Sequence, residues 1–386
     1  MRGFGTNPPG GVREAALRMR FKNTANTAVV VHGGQLLALW EAGLPHALDP
    51  VTLTTHGPHD FGGALRPRTW LSRLRGAEAP FTAHPKRDPR SGALWAFGFE
   101  VGLRPALHIY RVSPAGALEV VRSERLEEMC FVHDFLLTPR WCVFLLSSVR
   151  VDVAGMVGGW RTPLDAIEST DRGVRPLLVP RDPRDPARFG PTLPRGFVYH
   201  LVHAAEDGPE GLVVDALWMD EFLPRHFRLD ADSPLLAGEI PPAELRRLRL
   251  DLARGRAESQ LTLPGPVELP RVAPGRAGHP TRHAWLVAQW PGRPDRFTGL
   301  SRVNLETGAQ RAVDLWPHVA SEPVFCPDPC APDPEAGWLL LVGSDTRTHR
   351  SSLLVYDATE LTPLAEYELP QHLPPSFHGA WQGAPA

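Results

Sequence analysis

A short apolar strand, a polar turn and a second short strand recur along the whole chain, and this repeat restricts the fold more than any other feature. Each unit ends its first strand in Asp, Asn or Ser and turns at a Gly- or Pro-containing segment, which is typical of β-hairpins. Five such units are Leu36–Leu53, Leu107–Val121, Leu248–Leu261, Arg302–Val313 and Leu353–Tyr367. Long helices are not expected, because the 42 prolines interrupt almost every candidate.

Repeated hairpins over most of the 386 residues predict an all-β fold, which we interpret as one domain over residues 1–386. A β-propeller is favoured, because each of its blades is a small antiparallel sheet. Two stacked sandwiches are the alternative. Residues 161–195 and 220–245 break the repeat with Pro, Arg and Asp, and we expect them to be surface loops that cap one face.

Composition excludes several classes of function. A formal net charge of −2 gives no electrostatic reason to expect nucleic acid or an anionic membrane as a partner. Four cysteines are too few for a disulfide framework at this length, which fits a reducing compartment. No apolar run approaches membrane-spanning length, and Met1–Pro9 lacks the apolar region of a signal peptide. We therefore expect a cytoplasmic protein.

Four of the sixteen histidines stand in similar contexts, each after an aromatic or small residue near a strand edge. They are His84, His133, His200 and His378. In a propeller such positions would point inward, and imidazoles from four blades suit Fe(II), Cu, Ni or Zn. Each histidine alone is more often structural, so the hypothesis depends on all four together.

A second histidine, His203, shares the predicted strand of His200 within Phe197–Gly208. Residues an odd number apart on a straight strand face opposite sides of the sheet. One of the two is therefore expected to face a site and the other to face away from it.

Seven short segments, in order, resemble the carotenoid cleavage oxygenases, a family that includes apocarotenoid oxygenases, lignostilbene dioxygenases and the retinal-pigment-epithelium isomerase. They are Phe21–Thr27 (FKNTANT), Leu36–Pro45 (LLALWEAGLP), Phe81–Lys86 (FTAHPK), Val132–Phe135 (VHDF), Val267–Pro270 (VELP), Ser321–Phe325 (SEPVF) and Phe377–Gly379 (FHG). One tetrapeptide carries little information, but seven in order with comparable spacing, between about Phe21 and Trp381, are specific.

The resemblance implies a seven-bladed β-propeller, capped on one face by loops and short helices, that holds Fe(II) through the four histidines. It also implies that three glutamates hydrogen-bond to these ligands, since such partners fix the tautomer of an imidazole and offset the charge of the metal. The implied pairs are Glu41 with His133, Glu268 with His200 and Glu322 with His378. Thr27 corresponds to a threonine that crowds an open iron position.

The implied reaction is cleavage of a conjugated C=C bond by O2 into two carbonyl fragments. Lignostilbene cleavers tend to have a lysine, for binding a phenolate, where this chain has Trp40. Trp40 therefore favours a carotenoid or apocarotenoid, an apolar polyene, over a stilbene. Trp40 and Tyr199 are expected to line the substrate tunnel, with ordinary core packing as the equal alternative. Peripheral contact with a membrane would require apolar exposed loops.

The chain departs from the family pattern in two places. Family members have more sequence before the segment that matches Phe21–Thr27, so the alternatives are a misassigned start, a fragment, or a propeller without its N-terminal strands. A truncated, non-catalytic propeller that binds an apolar ligand is the corresponding hypothesis outside the enzymes. His203 replaces a usual asparagine, and we interpret it as a hydrogen-bonding replacement while His200 is the ligand.

Overall fold

The computed structural model describes residues 22–100, 104–158, 160–161, 165–222 and 242–383. Within these residues the chain forms 27 strands and two six-residue helices, α1 (Trp70–Arg75) and α2 (Val153–Gly158). Neither helix has the length and apolarity that crossing a membrane requires. The chain divides into two compact units. The first unit comprises residues 1–197 and 220–231, and the second comprises residues 198–219 and 232–386. The expectation of a single domain stays a prediction.

The first unit holds three four-stranded antiparallel sheets. The first sheet contains β1 (Ala28–His32), β2 (Gln35–Leu39), β3 (His46–Leu48) and β4 (Thr55–Pro58). The second contains β5 (Lys86–Arg87), β6 (Leu94–Glu100), β7 (Ala106–Val112) and β8 (Leu118–Arg125). The third contains β9 (Leu136–Leu137), β10 (Trp141–Leu146), β13 (Arg175–Pro180) and β14 (Arg188–Phe189), while β11 (Val149–Val151) pairs only with β12 (Ile167–Ser169) among the described strands.

Three further antiparallel sheets follow in the chain. The fourth contains β15 (Phe197–Glu206), β16 (Gly211–Met219), β17 (Glu244–Asp251) and β18 (Arg256–Leu263). The fifth contains β19 (Val267–Arg271), β20 (His283–Trp290), β21 (Arg293–Asn304) and β22 (Gln310–Asp314). The sixth contains β23 (His318–Ala320), β24 (Val324–Pro327), β25 (Gly337–Asp345), β26 (Ser351–Asp357) and β27 (Pro363–Glu368), and both β23 and β24 pair with β25.

The predicted hairpins are confirmed, and their turns have the expected chemistry. Between β7 and β8, Val112 pairs with Leu118, and the turn closes through the N–H of Ser113 donating to Ala117 O at 2.8 Å. Gly116 in this turn has φ +88°, a conformation that favours glycine. Between β21 and β22, the side chain of Asn304 accepts the N–H of Thr307 at 2.9 Å, as turn asparagines commonly do.

The described residues form the repeating antiparallel sheets of a β-propeller. There are six such sheets, so the implied number of seven blades is wrong for this part of the chain. The six sheets follow one another from Ala28 to Glu368 and take up every described strand except β11 and β12. No four described strands remain for another blade. The all-β class is confirmed.

The expectation that residues 161–195 form a surface loop is wrong in its middle. Strand β13 lies there and pairs with β10 along its whole length, from Trp141↔Pro180 to Leu146↔Arg175. The run Pro176–Pro180 is buried, and its flanking Arg, Asp and Pro residues obscured a strand that is apolar on both faces. The second predicted loop, residues 220–245, lies mostly outside the described residues.

Each unit has a core of aromatic and aliphatic side chains. In the first, the rings of Phe81 and Tyr110 are stacked with their centroids 6.0 Å apart. In the second, Trp285 packs against Phe325 at 4.7 Å and donates its indole N–H to Ala358 O at 2.8 Å. These buried aromatics fix the sheets that carry the candidate site residues or adjoin them in the chain.

Candidate functional site

His84 and His133 form a pair within the first unit. Their Nε2 atoms are 2.9 Å apart, and the two rings meet edge to face at 69°. The backbone near His84 is fixed because Thr82 donates its N–H to Phe97 O at 2.7 Å, and its hydroxyl accepts the N–H of His84 at 3.0 Å. His133 lies just before β9 and is buried.

A carboxylate orients the ring of His133. Its Nδ1 lies 3.2 Å from Oε1 of Glu41, which follows β2. If Nδ1–H donates to this carboxylate, Nε2 keeps its lone pair and faces Nε2 of His84. Two nitrogens bound to one ion at about 2.1 Å and at right angles would be about 3 Å apart, so the observed separation suits a shared metal.

An ion pair joins the two chain segments that carry these histidines. Nζ of Lys86 lies 2.7 Å from Oδ1 of Asp134, and the Asp134 side chain is almost completely buried. Lys86 is two residues from His84, and Asp134 is next to His133. The pair therefore couples the positions of the two imidazoles.

Aromatic side chains surround one side of His133. The ring of Phe131 lies parallel to that of His133 at 6.3 Å, and Phe131 also contacts Phe197 at 5.5 Å and Phe222 at 6.4 Å. The sequence interpretation missed this cluster. The aromatic residue two positions before the histidine was the signal that could have found Phe131.

His200 and His378 form a second pair, within the second unit. His200 projects from β15 and His378 from the segment after β27, and their ring centroids are 4.9 Å apart at 80°. Nδ1 of His200 lies 2.6 Å from Oε2 of Glu268, and Nδ1 of His378 lies 2.9 Å from Oε1 of Glu322. All three histidine–glutamate pairs implied by the resemblance are hydrogen bonds in the structure.

Both glutamates of the second unit are held as anions. Burial would raise the pKa of Glu268, but the hydrogen-bonded His200 and the N–H of Leu269 outweigh it and lower that pKa. Burial would likewise raise the pKa of Glu322, but Arg271 and His378 bring it down to about 2. Each histidine of this pair therefore faces a buried negative charge on its Nδ1 side.

Arg271 is a residue of this region that the sequence interpretation missed. Its Nη2 donates to Oε2 of Glu322 and, at 2.8 Å, to the carbonyl oxygen of Gly379. Arg271 closes β19, three residues after Glu268. No motif distinguished it, because an arginine after a Leu-Pro pair is unremarkable in a chain so rich in arginine and proline.

His203 has different surroundings from His200. It is 5% exposed and its interactions are with the backbone of His279 and with the charges of Arg247 and Arg276. Burial lowers its pKa to about 4. The different partners of the two histidines agree with the alternation expected on a strand.

The remaining predicted residues lie near these pairs. Thr27 donates its N–H to Leu39 O at 3.1 Å, which places it beside the end of β2, close to where the chain continues to Trp40 and Glu41. Trp40 is half-buried, and the ring of Tyr199 packs at 4.8 Å against that of His200. Their roles toward substrate and iron stay predictions.

Comparison with known proteins shows similarity along nearly the whole chain. Residues 1–383 match the family described as Retinal pigment epithelial membrane protein. The apocarotenoid-15,15'-oxygenase of Synechocystis sp. is 31% identical over 98% of this chain and 76% of its own length. The resveratrol cleavage oxygenase 1 of Aspergillus fumigatus is 30% identical over 95% of this chain and 75% of its own.

Solved structures of the Synechocystis oxygenase are also similar to this chain in fold. A cobalt-substituted form of the Synechocystis apocarotenoid oxygenase superposes with a TM-score of 0.86 at 29% identity, covering 100% of this chain and 80% of that one. A second structure of that oxygenase, a variant, gives the same TM-score over 99% of this chain and 79% of its own.

Proposed function

Since this chain belongs to the retinal pigment epithelial membrane protein family, the carotenoid cleavage oxygenases, we propose that it is an Fe(II) enzyme that cleaves a conjugated C=C bond of a carotenoid or apocarotenoid. The similar curated proteins are oxygenases, and on that basis the chain is an oxidoreductase. The observation that carries the proposal is the set of three hydrogen bonds from histidine Nδ1 to glutamate, at 3.2, 2.6 and 2.9 Å. Such carboxylate–histidine pairs are typical of metal ligands.

The proposed iron ligands are the two histidine pairs taken together. Each of the four histidines offers one ring nitrogen as a ligand atom. Neutral imidazoles suit Fe(II), and the nearby carboxylates offset its charge. When bound, iron would supply the activation of O2, whose two oxygen atoms end on the two carbons of the cleaved bond. We assign iron rather than another metal because of the family.

The chain's own groups perform the remaining tasks. Glu41, Glu268 and Glu322 fix the orientation of the imidazoles, so that the ligand set is formed before substrate arrives. Thr27 would restrict the space next to the ligands to small molecules such as O2. Trp40, Tyr199 and Phe131 would hold a flat apolar substrate so that one double bond is presented.

The aromatic cluster and Trp40 favour an apolar polyene over a phenolic stilbene. Phe131, which packs against the buried Phe197 and Phe222, offers a partly exposed apolar ring, whereas a phenolate would require a cation such as lysine in place of Trp40. Stilbene cleavage is the second candidate, because a similar protein from Aspergillus fumigatus is a resveratrol cleavage oxygenase.

A direct competition decides between the two substrate classes. The iron-loaded protein is incubated with O2 and equal amounts of an apocarotenal and a 4-hydroxystilbene, and the aldehydes formed are quantified. We expect faster cleavage of the apocarotenal, with one O2 consumed per bond. Faster cleavage of the stilbene would overturn the assignment from Trp40, and consumption of neither substrate would overturn the proposed activity.

We also propose a cytoplasmic location with peripheral contact to membranes, in which apolar polyenes dissolve. Support comes from α1, where Trp70 and Leu74 are 70% and 75% exposed and lie one turn apart beside Arg73 and Arg75.

In cosedimentation with anionic phospholipid vesicles, Trp70→Glu should reduce the bound fraction. Leu364→Glu, at a position 54% exposed on β27, is the control. Equal binding by wild type and Trp70→Glu would contradict this contact.

A further inference from the structure

His378 stands in a part of the chain that sheet hydrogen bonds do not hold. Residues 372–383 form neither helix nor strand. Leu373 is fixed at the start of this segment, because its N–H donates to the hydroxyl of Ser351 at 2.8 Å and its carbonyl accepts that of Ser344 at 2.6 Å. Five residues later, another set of contacts has to define the position of the imidazole.

A closed set of hydrogen bonds does so around Gly379. Its N–H donates to Oε2 of Glu322 at 3.0 Å, and its carbonyl oxygen accepts Nη2 of Arg271 at 2.8 Å. The same Nη2 donates to Oε2 of Glu322, so the three groups bind one another. A side chain at Gly379 would meet Val324 Cγ2 at 2.7 Å, so a larger residue could not approach as closely.

An irregularity in β19 accounts for the reach of Arg271. The register with β20 shifts between Glu268 and Arg271, and Leu269 within this stretch has φ +52°, which non-glycine residues rarely adopt. On a regular strand, residues three apart face opposite sides. The shift allows Glu268 to bind His200 while Arg271, on the same strand, reaches Glu322 and Gly379. A strained backbone at such a place is typical of functional sites.

Burial distinguishes this contact from an ordinary surface ion pair. The Glu322 side chain is 4% exposed and that of Arg271 is 31% exposed, whereas exposed pairs contribute little. Without Arg271, the buried carboxylate and the carbonyl of Gly379 would both lose a charged donor. The segment that carries His378 would then be held by fewer contacts.

We propose that Arg271 is a positioning residue that locks the C-terminal segment and thereby sets the geometry of His378 for metal binding. The proposal rests on the proposed function, because it takes His378 as an iron ligand. In this role Arg271 acts through its hydrogen bonds to Glu322 and Gly379 and is not itself a proposed iron ligand.

The test compares Arg271→Met with Arg293→Met in the full chain. Arg293 is a matched control, because its side chain is 27% exposed and pairs with Asp314 at 2.5 Å. It lies on β21, which carries none of the four histidines or their three glutamates. The Fe(II) Kd is measured by competition with a chelator, and amide hydrogen exchange is followed in residues 372–383. Arg271→Met should raise the Kd about 10- to 100-fold, the usual effect of losing a residue that supports a ligand, and accelerate exchange at Gly379. Arg293→Met should change neither quantity.

Arg271→Lys provides the second variant and carries the test if Arg271→Met does not fold. Lysine keeps the charge but is shorter, so we expect a Kd between those of wild type and Arg271→Met. Wild-type affinity and exchange in both Arg271 variants would overturn the proposal, as would equal effects of Arg271→Met and Arg293→Met. A wild-type protein without affinity for Fe(II) would instead overturn the proposed function itself, and the positioning role with it.

Discussion

Oε2 of Glu268 lies 2.6 Å from Nδ1 of His200, although the two residues belong to different sheets and are 68 positions apart in the chain. A second pair in the same unit, the half-buried His283 and the buried Glu335, also joins a histidine Nδ1 to a carboxylate oxygen, at 2.7 Å, but lies outside the proposed ligand set. Comparing variants of the two pairs therefore distinguishes the effect of a histidine–glutamate hydrogen bond on stability from its effect on metal binding.

Replacing Glu268 by glutamine should weaken iron binding. The amide keeps the shape of the side chain but removes the negative charge that faces His200, so we expect the Fe(II) Kd of Glu268→Gln to rise about 10- to 100-fold. Chelator competition measures this change. Glu335→Gln is the control, since it should lower the free energy of unfolding without altering the Kd. Equal iron affinities in the two variants would show that Glu268 has only a structural role.

Substrate choice should depend on the residue before Glu41. In Trp40→Lys a cation would be available to pair with a phenolate, so the ratio of kcat/KM for a 4-hydroxystilbene to that for an apocarotenal should rise about tenfold or more. The ratio follows from initial rates of aldehyde formation. Trp40→Phe retains an apolar ring and should preserve the preference of wild type. An unchanged ratio in Trp40→Lys would remove Trp40 from the residues that select the substrate.

Buried His203 should make the protein less stable in mild acid. Its pKa is lowered to about 4 from 6.5, mainly by burial and also by the nearby charges of Arg247, Arg276 and His279. Between these pH values the unfolded chain binds one more proton than the folded protein, so the free energy of unfolding falls as the pH falls from 6.5 to 4. The full contribution is about 3 kcal/mol.

The variant His203→Asn removes this titration. Urea unfolding at pH 7.5 and pH 4.5 should show a smaller loss of stability for His203→Asn than for wild type. His56→Asn, at an exposed histidine, should behave like wild type. The same loss in wild type and His203→Asn would mean that His203 is protonated in the folded protein.

The contacts between the proposed ligand histidines and their glutamates could be anticipated, because each of these residues lies in a short segment whose neighbours also belong to a recognisable motif. His84, for example, is followed by Pro85 and by Lys86, which binds Asp134 beside His133. Several residues of the candidate site therefore stand next to one another in the sequence, so a short motif identifies them together. The hairpin turns could also be predicted from the sequence, because Gly116 and Asn304 stabilise their turns through contacts and backbone angles within a few residues.

Contacts between distant segments were not readable in the same way. Arg271 binds the carbonyl oxygen of Gly379, which is 108 positions away in the chain. No local sequence pattern predicts that contact. Strand β13 was missed because charged and proline residues surround its buried run, and composition over a window averages the two. The number of blades came from resemblance alone, and counting complete four-stranded sheets among the described strands gives six instead.

The iron content of the purified, folded protein tests the central claim most directly. After reconstitution with Fe(II) and removal of excess metal, wild type should retain about one iron per chain, as expected for a single site of imidazole ligands. His133→Ala should lose it, while His283→Ala, which alters a half-buried histidine outside the ligand set, should keep it. A folded wild-type protein that retains no iron, or a His133→Ala variant that binds it as tightly as wild type, would contradict the account.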